Sequence, residues 1–160
     1  MDIARIVYRV RGGQGIGTEN MKQKGAVTLF NKGRLHKRVA IITGATSGIG
    51  RATALCFARE GASLVLAGRN VEALEKITEE VLNRGVKAVM KRTDVSREIE
   101  VKELIELAFS TFSDVHILCN NAGIIGQENL QPESQDGEDW QQVYAVNVLS
   151  AVYGIKYIAE

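Results

Sequence analysis

The sequence predicts an α/β protein built on a doubly wound parallel sheet. Two observations carry that expectation. From Arg38 onward, short apolar runs alternate with segments of helical periodicity, and the alternation repeats four times. A glycine-rich turn, Gly44 to Gly50, stands directly between the first run and the first helix, where a parallel strand must turn into its crossover.

The elements follow in order. Val39-Ala40-Ile41-Ile42 is a continuous apolar run, as a strand buried on both faces requires. Arg51 to Glu60 reads as the first helix and stops near Gly61, a residue suited to a helix C-terminus. Leu64-Val65-Leu66-Ala67 is the second strand. Asn70 is placed to cap the second helix, which carries Leu74, Ile77 and Val81 on one face and ends at Gly85. Val86 to Met90 is the third strand. Ser96 is the expected cap of the third helix, whose apolar stripe runs through Val101, Leu104, Ile105, Ala108 and Phe112. Val115 to Cys119 is the fourth strand, and a polar loop with the single proline, Pro132, leads to a last helix from about Asp139. The sheet is therefore expected to be incomplete, stopping after its fourth strand and the helix that follows.

The chain has 160 residues, enough for one domain with a single core. Hydrophobic residues at 45% and charged residues at 24% are ordinary for a globular domain. No apolar stretch approaches the ~20 residues needed to cross a bilayer, which argues against a membrane. A net charge of +1 argues against nucleic acid as a partner.

That charge is unevenly spread. Residues 1–38 hold nine Lys/Arg against two acids, and the remainder holds eleven against seventeen. Residues 1–34 are read as a basic, flexible N-terminal extension, and 35–160 as the folded domain. An organelle transit peptide is the alternative for the extension, but the segment contains no Ser. Cys56 and Cys119 sit among apolar neighbours, with no Cys or His at ligand spacing. They read as buried thiols in a reducing, cytoplasmic setting, and no metal site is expected.

The chemistry lies in the turn Thr43-Gly44-Ala45-Thr46-Ser47-Gly48-Ile49-Gly50. Glycines here let the backbone curve tightly and come close to a pyrophosphate, while the helix that follows offers free N–H groups and the positive end of its dipole. The strand before and the helix after supply the context such a motif needs. Gly12-Gly13-Gln14-Gly15-Ile16-Gly17 also follows an apolar segment, but no periodic helix comes after it, so it reads as flexible backbone.

In its motifs the chain resembles the short-chain dehydrogenase/reductase family. Thr-Gly-x-x-x-Gly-Ile-Gly at 43–50 is similar to that family's cofactor loop, and Asn120-Asn121-Ala122-Gly123 to its second signature. Asp94-Val95 is similar to the position that lies beside the adenine, and Leu35 to Ala40 to the lead-in of the first strand. The resemblance covers residues 35–160 and implies a Rossmann-type NAD(P)-binding domain. The three residues between Gly44 and Gly48 favour the compact reductase type over the extended epimerases and dehydratases.

Cofactor choice in such folds is made at the end of the second strand. An acid there binds the ribose hydroxyls of NAD and repels a 2′-phosphate, whereas an arginine attracts one. The sequence reads Ala67-Gly68-Arg69-Asn70, with Gly68 where an acid would stand. The expectation is NADP held by Arg69. Arg51 is a possible helper, read more simply as a solvent-facing helix residue.

The resemblance implies a catalytic set of Ser, Tyr, Lys and Asn, in which the Tyr handles the proton at the carbonyl oxygen. Asn147-Val148-Leu149-Ser150 matches the family's Asn segment except that Ser150 replaces a common glycine, so Asn147 is the candidate. The Ser and the Tyr-x-x-x-Lys pair do not occur. Tyr153 and Lys156 are one residue too close and precede any fifth strand, and they read as ordinary helix residues.

The leading expectation is thus an NADP-dependent alcohol/carbonyl oxidoreductase, present here as a cofactor-binding piece without its full active site. The alternatives are a non-catalytic nucleotide-binding module and a truncated product without function. For the complete enzyme the resemblance implies a small carbonyl or alcohol substrate and a homo-oligomer. The fourth strand, left at a sheet edge, predicts marginal stability for the isolated chain.

Overall fold

The computed structural model describes residues 33–126 and 136–159. The expectations for the basic leader up to residue 32, for Gly12 to Gly17 and for Pro132 fall outside these residues. In chain order the elements are β1 (Val39–Thr43), α1 (Gly48–Arg59), β2 (Ser63–Gly68), α2 (Val71–Leu82), β3 (Ala88–Arg92), α3 (Glu98–Phe112), β4 (Ile117–Cys119), α4 (Gly137–Tyr144), a π-helical turn (Ala145–Leu149) and α5 (Ser150–Ile158).

The four strands form one sheet in the order β3-β2-β1-β4, and every pairing is parallel. All five residues of β1 are buried, and the four from Val39 to Ile42 are apolar, as burial on both faces requires. Side chains alternate across the sheet. Ala40, Ile42, Leu64, Leu66, Ala88 and Met90 pack against α1 and α2 on one face. Ile41, Val65, Ala67 and Val89 pack against α3, with Val146 and Tyr153 from the last helical segment, on the other. The expected doubly wound architecture is borne out.

Three local expectations are corrected. Ser96 is not the cap of α3: Arg97 takes that position, and Ser96 turns back to Asp94, whose Oδ1 accepts from its N–H (3.1 Å) and its hydroxyl (2.7 Å). A serine beside an aspartate has this local partner in reach, and the turn wins over the cap. β4 begins at Ile117 rather than Val115, because the Val39 N–H donates to His116 Nδ1 (3.2 Å) instead of a ladder carbonyl. The last helix carries a π-helical turn that no periodicity announced.

Asn70 caps α2 as expected, its Oδ1 accepting the Ala73 N–H at 3.0 Å. Arg51 is paired with Glu80 of α2 through both carboxylate oxygens at 2.8 Å, which makes it a surface residue bridging two helices. Among the described residues no helix is long and apolar enough to cross a membrane, and no cluster of His, Cys, Asp or Glu is grouped as metal ligands are.

Candidate functional site

The chain runs from β1 outward to β2 and β3, then returns to place β4 on the other side of β1. That reversal opens a crevice beyond the carboxyl ends of the strands. The crevice here is a cleft of about 580 Å³. Its walls are Gly44, Thr46, Ser47, Gly48 and Ile49 of the glycine turn, then Gly68, Arg69 and Asn70 after β2. Thr93, Asp94 and Val95 after β3, Asn121 to Ile124 after β4, and Val146 of the π turn complete it. Four separate strand ends thus converge on one space.

The turn itself is tightly built. Gly44 has φ of +65°, and a Cβ there would lie 2.9 Å from Ala122 Cα. A Cβ on Gly50 would collide with the Gly44 carbonyl oxygen, so α1 can begin this close to the turn only with glycine at 50. The Arg51 N–H makes the first α1 bond, to Ser47 O at 3.1 Å. The three preceding N–H groups therefore have no carbonyl partner within the helix. Ser47 occupies the N-cap without a side-chain cap bond. The cleft thus has a positive helix end and backbone donors on one wall.

Four expected site residues do not line the cleft: Thr43, Gly50 and Asn120 of the cofactor set, and the catalytic candidate Asn147. Thr43 is buried, and its Oγ1 donates to Cys119 O (3.3 Å) while accepting the N–H groups of Asn121 (3.0 Å) and Ala122 (3.1 Å). Gly50 lies behind the turn, packed on Gly44. Asn120 faces α5, where a Cβ on Gly154 would come 2.8 Å from its Oδ1. Asn121 lines the cleft, yet its Nδ2 is committed to Thr43 O (2.9 Å) and Gly44 O (3.3 Å). Thr43 and Asn121 together fasten the glycine turn to the segment after β4.

At the far end, Arg69 is exposed at the cleft mouth, beside Gly68. A Cβ on Gly68 would lie 3.1 Å from Thr46 Cγ2, so the end of β2 and the glycine turn are in contact. Asp94 stands opposite. Partial burial raises its carboxyl pKa, but the two Ser96 hydrogen bonds and the charges of Arg69 and Arg92 outweigh that and hold it below the ordinary value. Asp94 is therefore an anionic acceptor at neutral pH.

Asn147 sits in the π turn and bonds the backbone of Ile124 in both directions. Its Nδ2 donates to Ile124 O (2.8 Å), and its Oδ1 accepts the Ile124 N–H (2.9 Å). Both ends of the amide are thus used in bracing the cleft wall. Ser150 is accommodated by donating its hydroxyl to Val146 O at 2.6 Å. Tyr153 packs against the core formed with α3, and Lys156 bonds Glu98 Oε1 at 2.8 Å. That hydrogen bond, with Tyr157 beside it, raises the Lys156 pKa above its usual value. Neither residue reaches the cleft.

A family model described as short chain dehydrogenase matches residues 38–160. The chain belongs to the short-chain dehydrogenase family. Cyclohexanol dehydrogenase from Acinetobacter sp. (strain SE19) is 38% identical over 124 residues, which is 78% of this chain and 49% of that protein. A crystal structure of a short-chain dehydrogenase/reductase from Burkholderia phymatum in complex with NAD is similar at a TM-score of 0.74 and 37% identity, over 78% of this chain and 44% of that one. A metagenomic short-chain oxidoreductase in complex with NADP gives 0.73 at 28% identity, over 78% of this chain and 56% of that one. The present chain spans about half the length of the curated relatives it matches.

Sequence reasoning missed Thr93, Ile124 and Val146 of the cleft lining and, behind Asp94, the acid Glu100. The Glu100 side chain is 15% exposed, and it accepts the Asp94 N–H at 2.7 Å while pairing with Arg92 and Arg97 at 3.1 Å each. It is the third residue of α3, the position from which an acid reaches back over a helix start. That spacing was the available signal.

Proposed function

We propose that this chain is the cofactor-binding half of an NADP-dependent oxidoreductase that interconverts an alcohol and a carbonyl. The reading rests on its family and, for NADP over NAD, on one observation: the end of β2 offers the exposed Arg69 and no acid to the cleft. A guanidinium there attracts a 2′-phosphate, and the missing carboxylate removes what would repel it.

The fit of a dinucleotide is argued from the cradle. The glycine turn brings bare backbone and the α1 N-terminus to one wall, suited to a pyrophosphate. Asp94 and Val95 line the adenine end, and Ile49, 78% exposed, offers an apolar cover. Asn121, Ala122 and Gly123 form the wall towards the reacting end. When bound, a nicotinamide ring supplies the hydride donor or acceptor.

Within this proposal Thr43 and Asn121 hold the turn in shape, and Asn147 is a positioning residue that fixes Ile124. No Tyr-x-x-x-Lys pair occurs in these 160 residues, so in this reading the chain by itself binds cofactor without turnover.

Fluorescence titration of the 160-residue chain with NADPH and NADH tests this. NADPH is expected to bind in preference to NADH, and Arg69→Ala to weaken NADPH about tenfold while leaving NADH nearly unchanged. Equal affinity for the two, or an Arg69→Ala effect shared by both, would overturn the NADP assignment.

A further inference from the structure

We propose that Arg92 is a second determinant of cofactor choice, and that Glu100 sets how much of its charge a 2′-phosphate meets. The proposal rests on the NADP reading above and adds residues that the glycine turn and β2 do not contain.

The argument begins with register. Gly68, where an NAD-type acid would stand, is paired directly with Arg92 on β3. Paired residues of neighbouring strands project to the same face of a sheet. The bare position at 68 faces Thr46 of the glycine turn, so Arg92 arises from the strand position beside the one that discriminates the phosphate. Asp94, which lines the cleft, lies within the field of both Arg69 and Arg92.

Arg92 is not, however, directed into the cleft. Its Nη1 is latched by Glu100 Oε2 at 3.1 Å, with the arginine side chain 49% exposed and the glutamate 15%. The same carboxylate also takes Arg97 and the Asp94 N–H. Arg92 and Arg97 thus share the Glu100 carboxylate, Asp94 feels the charges of Arg69 and Arg92 without an ion pair to Arg69, and the neighbouring Lys91 is balanced by Glu103 at 3.1 Å. The cluster at this end of the cleft carries one uncompensated positive charge. A half-exposed ion pair is weak, so a dianionic phosphate nearby can draw Arg92 from Glu100. Glu100 holds a cation in reserve, and its own charge opposes the phosphate.

The test is a set of NADPH and NADH titrations on the full 160-residue chain and its variants at low salt. Arg92→Gln is expected to weaken NADPH about fivefold with NADH unchanged within about twofold, while Arg92→Lys keeps most of the preference. Glu100→Gln retains an oxygen for the Asp94 N–H, removes the charge, and is expected to tighten NADPH about threefold. In the double variant Glu100→Gln/Arg92→Gln that gain should vanish.

A preference unmoved by Arg92→Gln, or a Glu100→Gln gain that persists without Arg92, would overturn the proposal. So would equal losses for both cofactors, which would mark Arg92 as structural. Arg69→Ala in the same series separates the two readings. If it abolishes the preference while Arg92→Gln does not, the NADP assignment stands and only this inference fails. If wild-type chain prefers neither nucleotide, both fail.

Discussion

At Thr43 one hydroxyl serves three backbone groups, donating to Cys119 O and accepting from the N–H groups of Asn121 and Ala122. The side chain is buried, so water cannot replace it. Thr43→Val keeps the shape and removes the acceptor, which leaves two N–H groups unsatisfied at a cost of about 1–3 kcal/mol each. Urea unfolding should record that loss, whereas Thr43→Ser should recover much of it. An unchanged midpoint for Thr43→Val would show that the strut between β1 and the segment after β4 carries no stability. The sequence placed Thr43 among cofactor contacts because the motif contains it. A buried hydroxyl at a strand end must find partners, but its partners lie 76 to 79 residues away, and no local pattern names them.

Elements differ in how well local signals foretold them. β1 and β2 were readable because burial on both faces leaves a plain apolar run. α2 was readable because Asn70 and the stripe Leu74, Ile77 and Val81 agree, and all three apolar residues are buried. The start of α3 was misplaced, since Ser96 had a nearer partner in Asp94. The π turn at Ala145–Leu149 left no mark in the sequence, because its helical residues are otherwise ordinary. Single π turns inside helices gather where a side chain must meet a site, and here Asn147 meets Ile124. Asn147→Ala removes both bonds of that brace. Amide exchange at Ile124 should rise by an order of magnitude or more, while β1 and β2 keep their protection. Unaltered exchange at Ile124 would mean the brace does not restrain the cleft wall.

For the whole molecule, the sheet order leaves β4 paired only to β1 among the described residues. Its other edge offers unpaired backbone groups beside Ile117 and Leu118. The helical segment from α4 to α5 carries Trp140, Tyr144, Val148, Val152 and Ile155 at exposures from 42% to 62%, spaced along one side. An open edge next to an exposed apolar stripe favours self-association. Light scattering on a chain of residues 1–160 should detect concentration-dependent association, with a lower melting point than a chain extended past residue 160. Monomeric behaviour with equal melting would contradict that expectation.

The sequence by itself determined the class of sheet, the order of its elements and the two signatures that meet at its carboxyl edge. It could do so because strand and helix periodicity, caps and glycine turns are short-range consequences of sterics and of which faces are buried. It also placed Arg69 at the cleft and Arg51 on the surface. Only the tertiary structure decided which residues of the signatures face the cleft and which fasten it. Thr43 and Gly50 turned inward, Asn120 turned towards α5, Asn121 and Asn147 spent their amides on backbone, and Glu100 emerged beside Asp94 and Arg92. Those assignments depend on hydrogen-bond partners brought together by strand pairing and helix packing, and such partners are distant in sequence however close in space.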